Sequence, residues 1–254
     1  MMSPELLETY IRQFIEAQET DTVEFCWHGG EPLMLGLDYF KRALKLQRKY
    51  AAGKEIHNSL QTNGTLIDEN WCRFFADNGF LVGLSLDGPK DIHDGYRVNK
   101  GGRATFERVF GAARLMNRMH VEFNTLSVVN NLCEDRGAEV YRFLLDEAGS
   151  RFMQFLPAVD WLPDGSKAPW SVSSEGFGRF LCSIFDEWVR RDVSRCYVQI
   201  FDVTLSQWCG LPSGICTMGE TCGEGLAVEH NGDVYPCDHF VTPEHKLGNI
   251  LQTP

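Results

Sequence analysis

No stretch of this sequence approaches the roughly 18 consecutive apolar residues that a bilayer-crossing helix needs. Its first 20 residues read as an acidic, amphipathic helix, without the basic start and apolar core of a secretion signal. Runs of Lys and Arg are also missing, and a net charge of −11 argues against a surface for nucleic acid or anionic membrane. There is no short repeat and no low-complexity segment. The nine cysteines, odd in number and scattered, make a poor disulfide framework. A cytoplasmic location is therefore expected, with the thiols either buried or bound to metal.

What is present is a regular alternation. Ser3-Pro4-Glu5 opens a helix with an N-cap and a proline at its first position, and Leu7, Tyr10, Ile11, Phe14 and Ile15 form its apolar stripe. Strands are predicted at Val23–Trp27, Ile56–Gln61, Leu81–Leu86, Val121–Val129 and Phe152–Leu156. Between them, helices are predicted at Asp38–Ala51, Asp68–Asn78, Thr105–Met119 and Arg136–Ala148, and a last long helix carries Phe177, Phe180, Ile184 and Trp188. Strands alternating with helices of this length define parallel βαβ units. Residues 161–174, rich in Pro, Gly, Ser and Trp, read as a loop that could face a substrate. Polar residues share one face of several strands: Glu24 and Cys26 on the first, Gly83, Ser85 and Asp87 on the third, Gln154 on the fifth. Such faces suggest a partly open barrel with a polar interior accessible to a ligand.

Each strand ends in polar punctuation. Trp27-His28-Gly29-Gly30-Glu31-Pro32 follows the first strand, Gln61-Thr62-Asn63-Gly64 the second, and Ser85-Leu86-Asp87-Gly88-Pro89 the third, with Arg97 a little beyond. The C-terminal rim of a parallel barrel is where its chemistry sits. Glycines let the backbone approach a small zwitterion, Glu31 offers a carboxylate for an ammonium group, and Ser85 with Arg97 suits a carboxylate. Taken singly, Asn63-Gly64 is an ordinary turn and Arg97 an ordinary surface charge. A second constellation is Cys216-x5-Cys222-x14-Cys237, flanking the hairpin signal Asn231-Gly232 and followed at once by Asp238. Three thiols at these intervals make half a metal site, for iron–sulfur ligation or as part of a zinc site. If Cys237 and Asp238 lie on a strand they point oppositely, one toward metal and one toward substrate. Cys72, Cys133 and Cys182 read as small core residues.

Trp-His-Gly-Gly-Glu-Pro, Gln-Thr-Asn-Gly-Thr-Leu, Gly-Leu-Ser-Leu-Asp-Gly-Pro and Gln154-Phe155-Leu156-Pro157, in that order, resemble the anaerobic sulfatase-maturating enzymes, radical S-adenosylmethionine (SAM) proteins with a SPASM extension. The resemblance covers nearly the whole chain. It implies an α/β fold: a partial (β/α)6 TIM-like barrel of the radical SAM type over residues 1–200, lacking its first strand, with the start of a SPASM cluster domain at 201–254. It also implies SAM contacts at His28, Gly29, Gly30, Glu31, Asn63, Ser85, Arg97 and Leu156. His28 departs from the glutamine often found there, and a histidine can titrate. By resemblance Cys216, Cys222 and Cys237 are ligands of an auxiliary [4Fe–4S] cluster, and Asp238 is the base that takes a proton from the target side chain.

The implied activity is oxidation of a Cys or Ser in a sulfatase polypeptide to Cα-formylglycine. SAM and [4Fe–4S] clusters are the implied cofactors, and a donor such as flavodoxin or ferredoxin supplies electrons. No nucleic-acid or membrane partner is expected. Two alternatives stay open: another SPASM-type peptide-modifying enzyme, and a degenerate, non-catalytic peptide-binding (β/α) domain. The Cys-x3-Cys-x2-Cys loop that defines the superfamily is not in the sequence, whose first cysteine is Cys26. The expectation is thus a fragment, inactive as it stands, of a larger enzyme.

Overall fold

The computed structural model describes residues 1–222 and 225–252. Six strands form one sheet in chain order: β1 (Thr22–Trp27), β2 (Glu55–Thr62), β3 (Phe80–Ser85), β4 (Phe123–Val129), β5 (Phe152–Pro157) and β6 (Tyr197–Val198). β3, β4, β5 and β6 pair in parallel, with Val82 opposite Phe123, Thr125 opposite Met153 and Phe152 opposite Tyr197. Parallel neighbours require crossovers, and helices supply them. α1 (Pro4–Ala17) precedes the sheet, α2 (Leu37–Tyr50) joins β1 to β2, and α3 (Glu69–Asp77) joins β2 to β3. α4 (Lys90–Tyr96) and α5 (Phe106–Arg118) lie between β3 and β4. α6 (Gly137–Arg142), continued by a π turn over Phe143–Glu147, leads to β5, α7 (Ser174–Arg191) to β6, and α8 (Gln199–Trp208) follows.

Local chemistry sets these boundaries. Ser3, Asp68 and Ser173 cap α1, α3 and α7 by accepting from the backbone N–H of Leu6, Trp71 and Gly176. β4 begins two residues later than the alternation suggests, because Val121 N–H still bonds Met116 O at the end of α5. The expected polar faces are present. In β1, Val23, Phe25 and Trp27 are buried while Glu24 and Cys26 are exposed; in β3, Val82 and Leu84 are fully buried. β6, α4 and α8 are additions to the predicted elements, so the parallel sheet has six strands where five were predicted.

The chain divides into two compact units. One comprises Cys26–Pro32 and Ser59–Pro212 and carries the strand ends discussed below. The other comprises Met1–Phe25, Leu33–Asn58 and Ser213–Pro254. In this second unit α1 buries Leu6, Leu7, Ile11 and Ile15, and Lys49 and Tyr50 of α2 both donate to Glu8. It also holds a small antiparallel sheet of β7 (Ala227–Val228), β8 (Asp233–Tyr235) and β9 (Gly248–Asn249), fastened to α1 where Gln13 Nε2 donates to Ile250 O at 3.3 Å. Among the described residues no helix is long and apolar enough to cross a membrane.

Candidate active site

The backbone after β1 turns through two residues of positive φ, Gly29 at +87° and Gly30 at +58°. A Cβ at either position would meet nothing within 4 Å, so glycine is required there for conformation and the space in front is open. Glu31 then reaches across to the end of β2. Its carboxylate accepts from Thr62 Oγ1 at 2.7 Å and from the Asn63 backbone N–H at 2.9 Å, while Thr62 Oγ1 accepts from Gly64 N–H at 3.0 Å. The carboxylate expected to meet an ammonium group is thus engaged in stitching two strand ends together. His28 and Asn63 are exposed beside it.

The third strand end is tied down as well. Ser127 Oγ donates to Leu86 O at 2.6 Å, and Val128 N–H donates to Asp87 Oδ1 at 2.9 Å, so β4 holds the Leu86–Asp87 corner. Arg97 forks onto the same carboxylate: Nε to Oδ2 at 2.6 Å and Nη2 to Oδ1 at 2.9 Å. Asp87 is 3 % exposed and the Arg97 side chain 26 %, so the pair is anchored inside with the guanidinium at the surface. Arg97 was expected on a ligand carboxylate; here it already grips one belonging to the chain. Ser85 is half-buried, and Leu156 at the end of β5 is exposed.

Behind this pair lies buried polar structure absent from the predicted site residues. His93 Nε2 lies 3.1 Å from Thr105 Oγ1, the Thr105 hydroxyl donates to Arg97 O at 2.7 Å, and Asp87 N–H faces His93 Nδ1 at 3.4 Å. Thr105 has one hydroxyl proton, committed to Arg97 O, so the imidazole must carry its own proton on Nε2. Burial pushes the pKa of His93 down to about 4, opposed by Asp87 and reinforced by the Arg97 charge. The imidazole is therefore neutral at physiological pH. The signal available in the sequence was Asp87 on the Ser85 face; nothing in the spacing of His93 and Thr105 points to a shared partner.

The cysteine set is less assembled. Cys216 and Cys222 are exposed and Cys237 is half-buried, all as free thiols. Among the described residues no three His, Cys, Asp or Glu side chains are grouped closely enough to hold one metal ion. The donor set is nonetheless soft and accessible, which suits iron–sulfur or zinc ligation. Cys237 and Asp238 do not lie on a strand as supposed. Pro236 offers no N–H to the ladder, β8 stops at Tyr235, and Asp238–Phe240 form a 3-10 turn capped by Cys237, with Asp238 exposed. Cys72 and Cys133 are core residues, and burial raises both thiols to about 11. Cys182, expected with them, is exposed on α7 instead.

Residues 1–144 match the Radical SAM superfamily model, and residues 216–254 match the SPASM iron–sulfur cluster-binding domain. The chain is 45 % identical to the serine-type anaerobic sulfatase-maturating enzyme of Bacteroides thetaiotaomicron, over 98 % of this chain and 64 % of that one. It is 38 % identical to the cysteine-type enzyme of Clostridium perfringens, over 98 % of this chain and 68 % of the relative. Native anSMEcpe, solved with bound AdoMet and Cp18Cys peptide, superposes with a TM-score of 0.92 at 38 % identity, covering 98 % of this chain and 70 % of that one. The chain belongs to the radical SAM superfamily and, within it, to the anaerobic sulfatase-maturating enzymes. It spans 64 % of the length of the Bacteroides relative.

Proposed function

We propose that the chain serves the oxidation of a Cys or Ser side chain of a sulfatase polypeptide to Cα-formylglycine: its residues bind and orient for that reaction, while the Cys-x3-Cys-x2-Cys loop, which the sequence does not contain, would have to be supplied for the oxidation to proceed. The observation that carries this is kinship along 98 % of the chain with both serine- and cysteine-type maturating enzymes. On this reading the barrel portion spans residues 1–200 and the cluster portion 201–254. The reaction chemistry would come from SAM and iron–sulfur clusters: Cys216, Cys222 and Cys237 would contribute to an auxiliary cluster able to accept an electron, while the three-thiolate loop that would hold a SAM-cleaving cluster is not in this sequence.

The chain's own residues bind and orient. Exposed backbone groups at His28, Gly29 and Gly30 receive the ammonium group of SAM, and the fixed φ of the two glycines holds those groups in place. Ser85 and Arg97 take its carboxylate, Leu156 offers backbone, and Glu31 shapes the rim through Thr62 and Asn63. Cys216, Cys222 and Cys237 supply thiolates to an auxiliary cluster. Asp238 accepts the side-chain proton. A donor such as flavodoxin or ferredoxin delivers the reducing electron.

The test is anaerobic reconstitution with iron and sulfide of the chain joined to a Cys-x3-Cys-x2-Cys segment, then incubation with SAM, reductant and a sulfatase-derived peptide carrying Ser or Cys. An aldehyde on the peptide is the expected product by mass spectrometry. Asp238→Asn should cleave SAM and leave the peptide unoxidised, and Cys216→Ser should lower bound iron. A protein that takes up no iron and makes no aldehyde, yet retains the peptide, would instead be a non-catalytic binding domain.

A further inference from the structure

Asp87, His93, Arg97 and Thr105 form a closed hydrogen-bonded ring. Asp87 N–H points to His93 Nδ1 at 3.4 Å, and His93 Nε2 donates to Thr105 Oγ1 at 3.1 Å. Thr105 Oγ1 donates to Arg97 O at 2.7 Å, and the Arg97 fork returns to the Asp87 carboxylate at 2.6 and 2.9 Å. Asp94 Oδ1 braces the ring by accepting from the N–H groups of Thr105 and Phe106. Three members are almost wholly buried, Asp87 at 3 %, His93 at 0 % and Thr105 at 9 %, while the Arg97 side chain at 26 % is the one that reaches solvent.

A guanidinium carries five N–H bonds, and Asp87 uses two of them, on Nε and Nη2. The outer edge, Nη1 with the second Nη2 proton, makes no bond among the described residues. That edge has the fork geometry that takes a second carboxylate bidentately. A flexible arginine would lose rotamer freedom on binding such a group, whereas one already clamped along its inner edge has lost it in folding.

We infer that Asp87, with the His93–Thr105 pair behind it, is a positioning device for Arg97, aiming the outer edge of the guanidinium at the carboxylate of an amino-acid-bearing nucleoside. The inference rests on the proposal that this rim binds SAM, and assigns roles to three residues that do not touch the ligand. Two opposed effects separate it from simple electrostatics. As a charge, Asp87 repels an incoming carboxylate and its removal would tighten binding; as a clamp, its removal loosens binding.

The test is titration calorimetry on the anaerobically reconstituted protein with two probes, S-adenosylhomocysteine and its decarboxylated amine. Wild type should prefer the first, and Arg97→Gln should erase that preference. Asp87→Asn and Thr105→Val should each cut the preference roughly tenfold, the scale of one misaligned charge-assisted hydrogen bond, with affinity for the amine little changed. Thr105→Ser, which keeps the hydroxyl, should restore it. If wild type shows no preference, or Arg97→Gln retains one, the SAM-carboxylate reading fails and the positioning role goes with it. If Arg97→Gln erases the preference while Asp87→Asn and Thr105→Val keep it, the rim reading stands and the clamp is overturned. Tighter binding of S-adenosylhomocysteine by Asp87→Asn overturns it too. Thr105→Val replaces a hydroxyl by a methyl of the same shape and gives an answer even if Asp87→Asn does not fold.

Discussion

His93 should give the protein a distinct loss of stability in mild acid. Its pKa in the folded chain is pushed from 6.5 to about 4, because a fully buried imidazole surrounded by backbone and the Arg97 charge is costly to protonate. The unfolded chain therefore binds a proton on this residue that the folded chain does not, and stability must rise with pH across the window. The His93 contribution is complete above pH 6.5 and disappears as the pH falls to about 4. A gap of that width corresponds to roughly 3 kcal/mol, with a slope no steeper than about 1.4 kcal/mol per pH unit. Other ionisable groups of the chain also contribute to the pH dependence, so the informative quantity is a difference between two proteins. His93→Gln keeps a side-chain N–H for Thr105 Oγ1 and cannot take up a proton. Urea unfolding of both proteins at several pH values should show the wild-type advantage shrinking by roughly 3 kcal/mol over this range. A difference that stays constant to within about 0.5 kcal/mol would refute the assignment of a buried neutral imidazole.

Three further outcomes follow from the same geometry. Glu31→Gln replaces a carboxylate that accepts from Thr62 Oγ1 and Asn63 N–H, and should cost about 1.5 kcal/mol in chemical denaturation; an unchanged midpoint would mean the stitch contributes nothing. Gly30→Ala should cost about 1–2 kcal/mol through its φ of +58° alone, and Gly30→Asn less, since Asn tolerates that region; equal costs would point to crowding instead, although no atom lies within 4 Å. Tyr141, buried in α6, donates to Asp192 Oδ2 at 2.9 Å, and Tyr141→Phe should destabilise by about 1–3 kcal/mol because a buried carboxylate loses a donor; Arg142, which also reaches Asp192, sets the lower end of the range.

Most of the architecture was legible in the sequence because alternation over five or more residues is a strong signal. Val23–Trp27 and Leu81–Leu86 have one face for the core and one for the rim, and the structure buries them accordingly. The elements that escaped are those too short or too exposed to leave a pattern. Tyr197–Val198 is two residues long, Lys90–Tyr96 spans seven with only Ile92 and His93 buried, and Gln199–Trp208 buries none. The condition that Cys237 and Asp238 lie on a strand fails for a local reason, the proline at 236, which has no N–H for the ladder.

Residue types alone select the groups proposed for the site, but not how they are connected. Ser85, Arg97 and Gly29-Gly30 were picked out as groups suited to a zwitterion, and each sits on a strand end or just beyond one. What spacing cannot show is which partner a charged group meets first. Glu31 and Arg97 were both assigned to a ligand, and both turn out to be held by the protein, by Thr62 with Asn63 and by Asp87. Ten residues separate Asp87 from Arg97, and the short helix α4 that brings them together gave no periodic signal. The two findings share a physical logic: a rim that must receive a flexible zwitterion gains more from side chains whose freedom was lost in folding than from additional charges. A charge left loose on such a rim would pay its ordering entropy on every binding event. On the proposed reading, the engaged state of Glu31 and Arg97 suits a binding rim, and their intramolecular partners would belong to the site with the groups that touch the ligand.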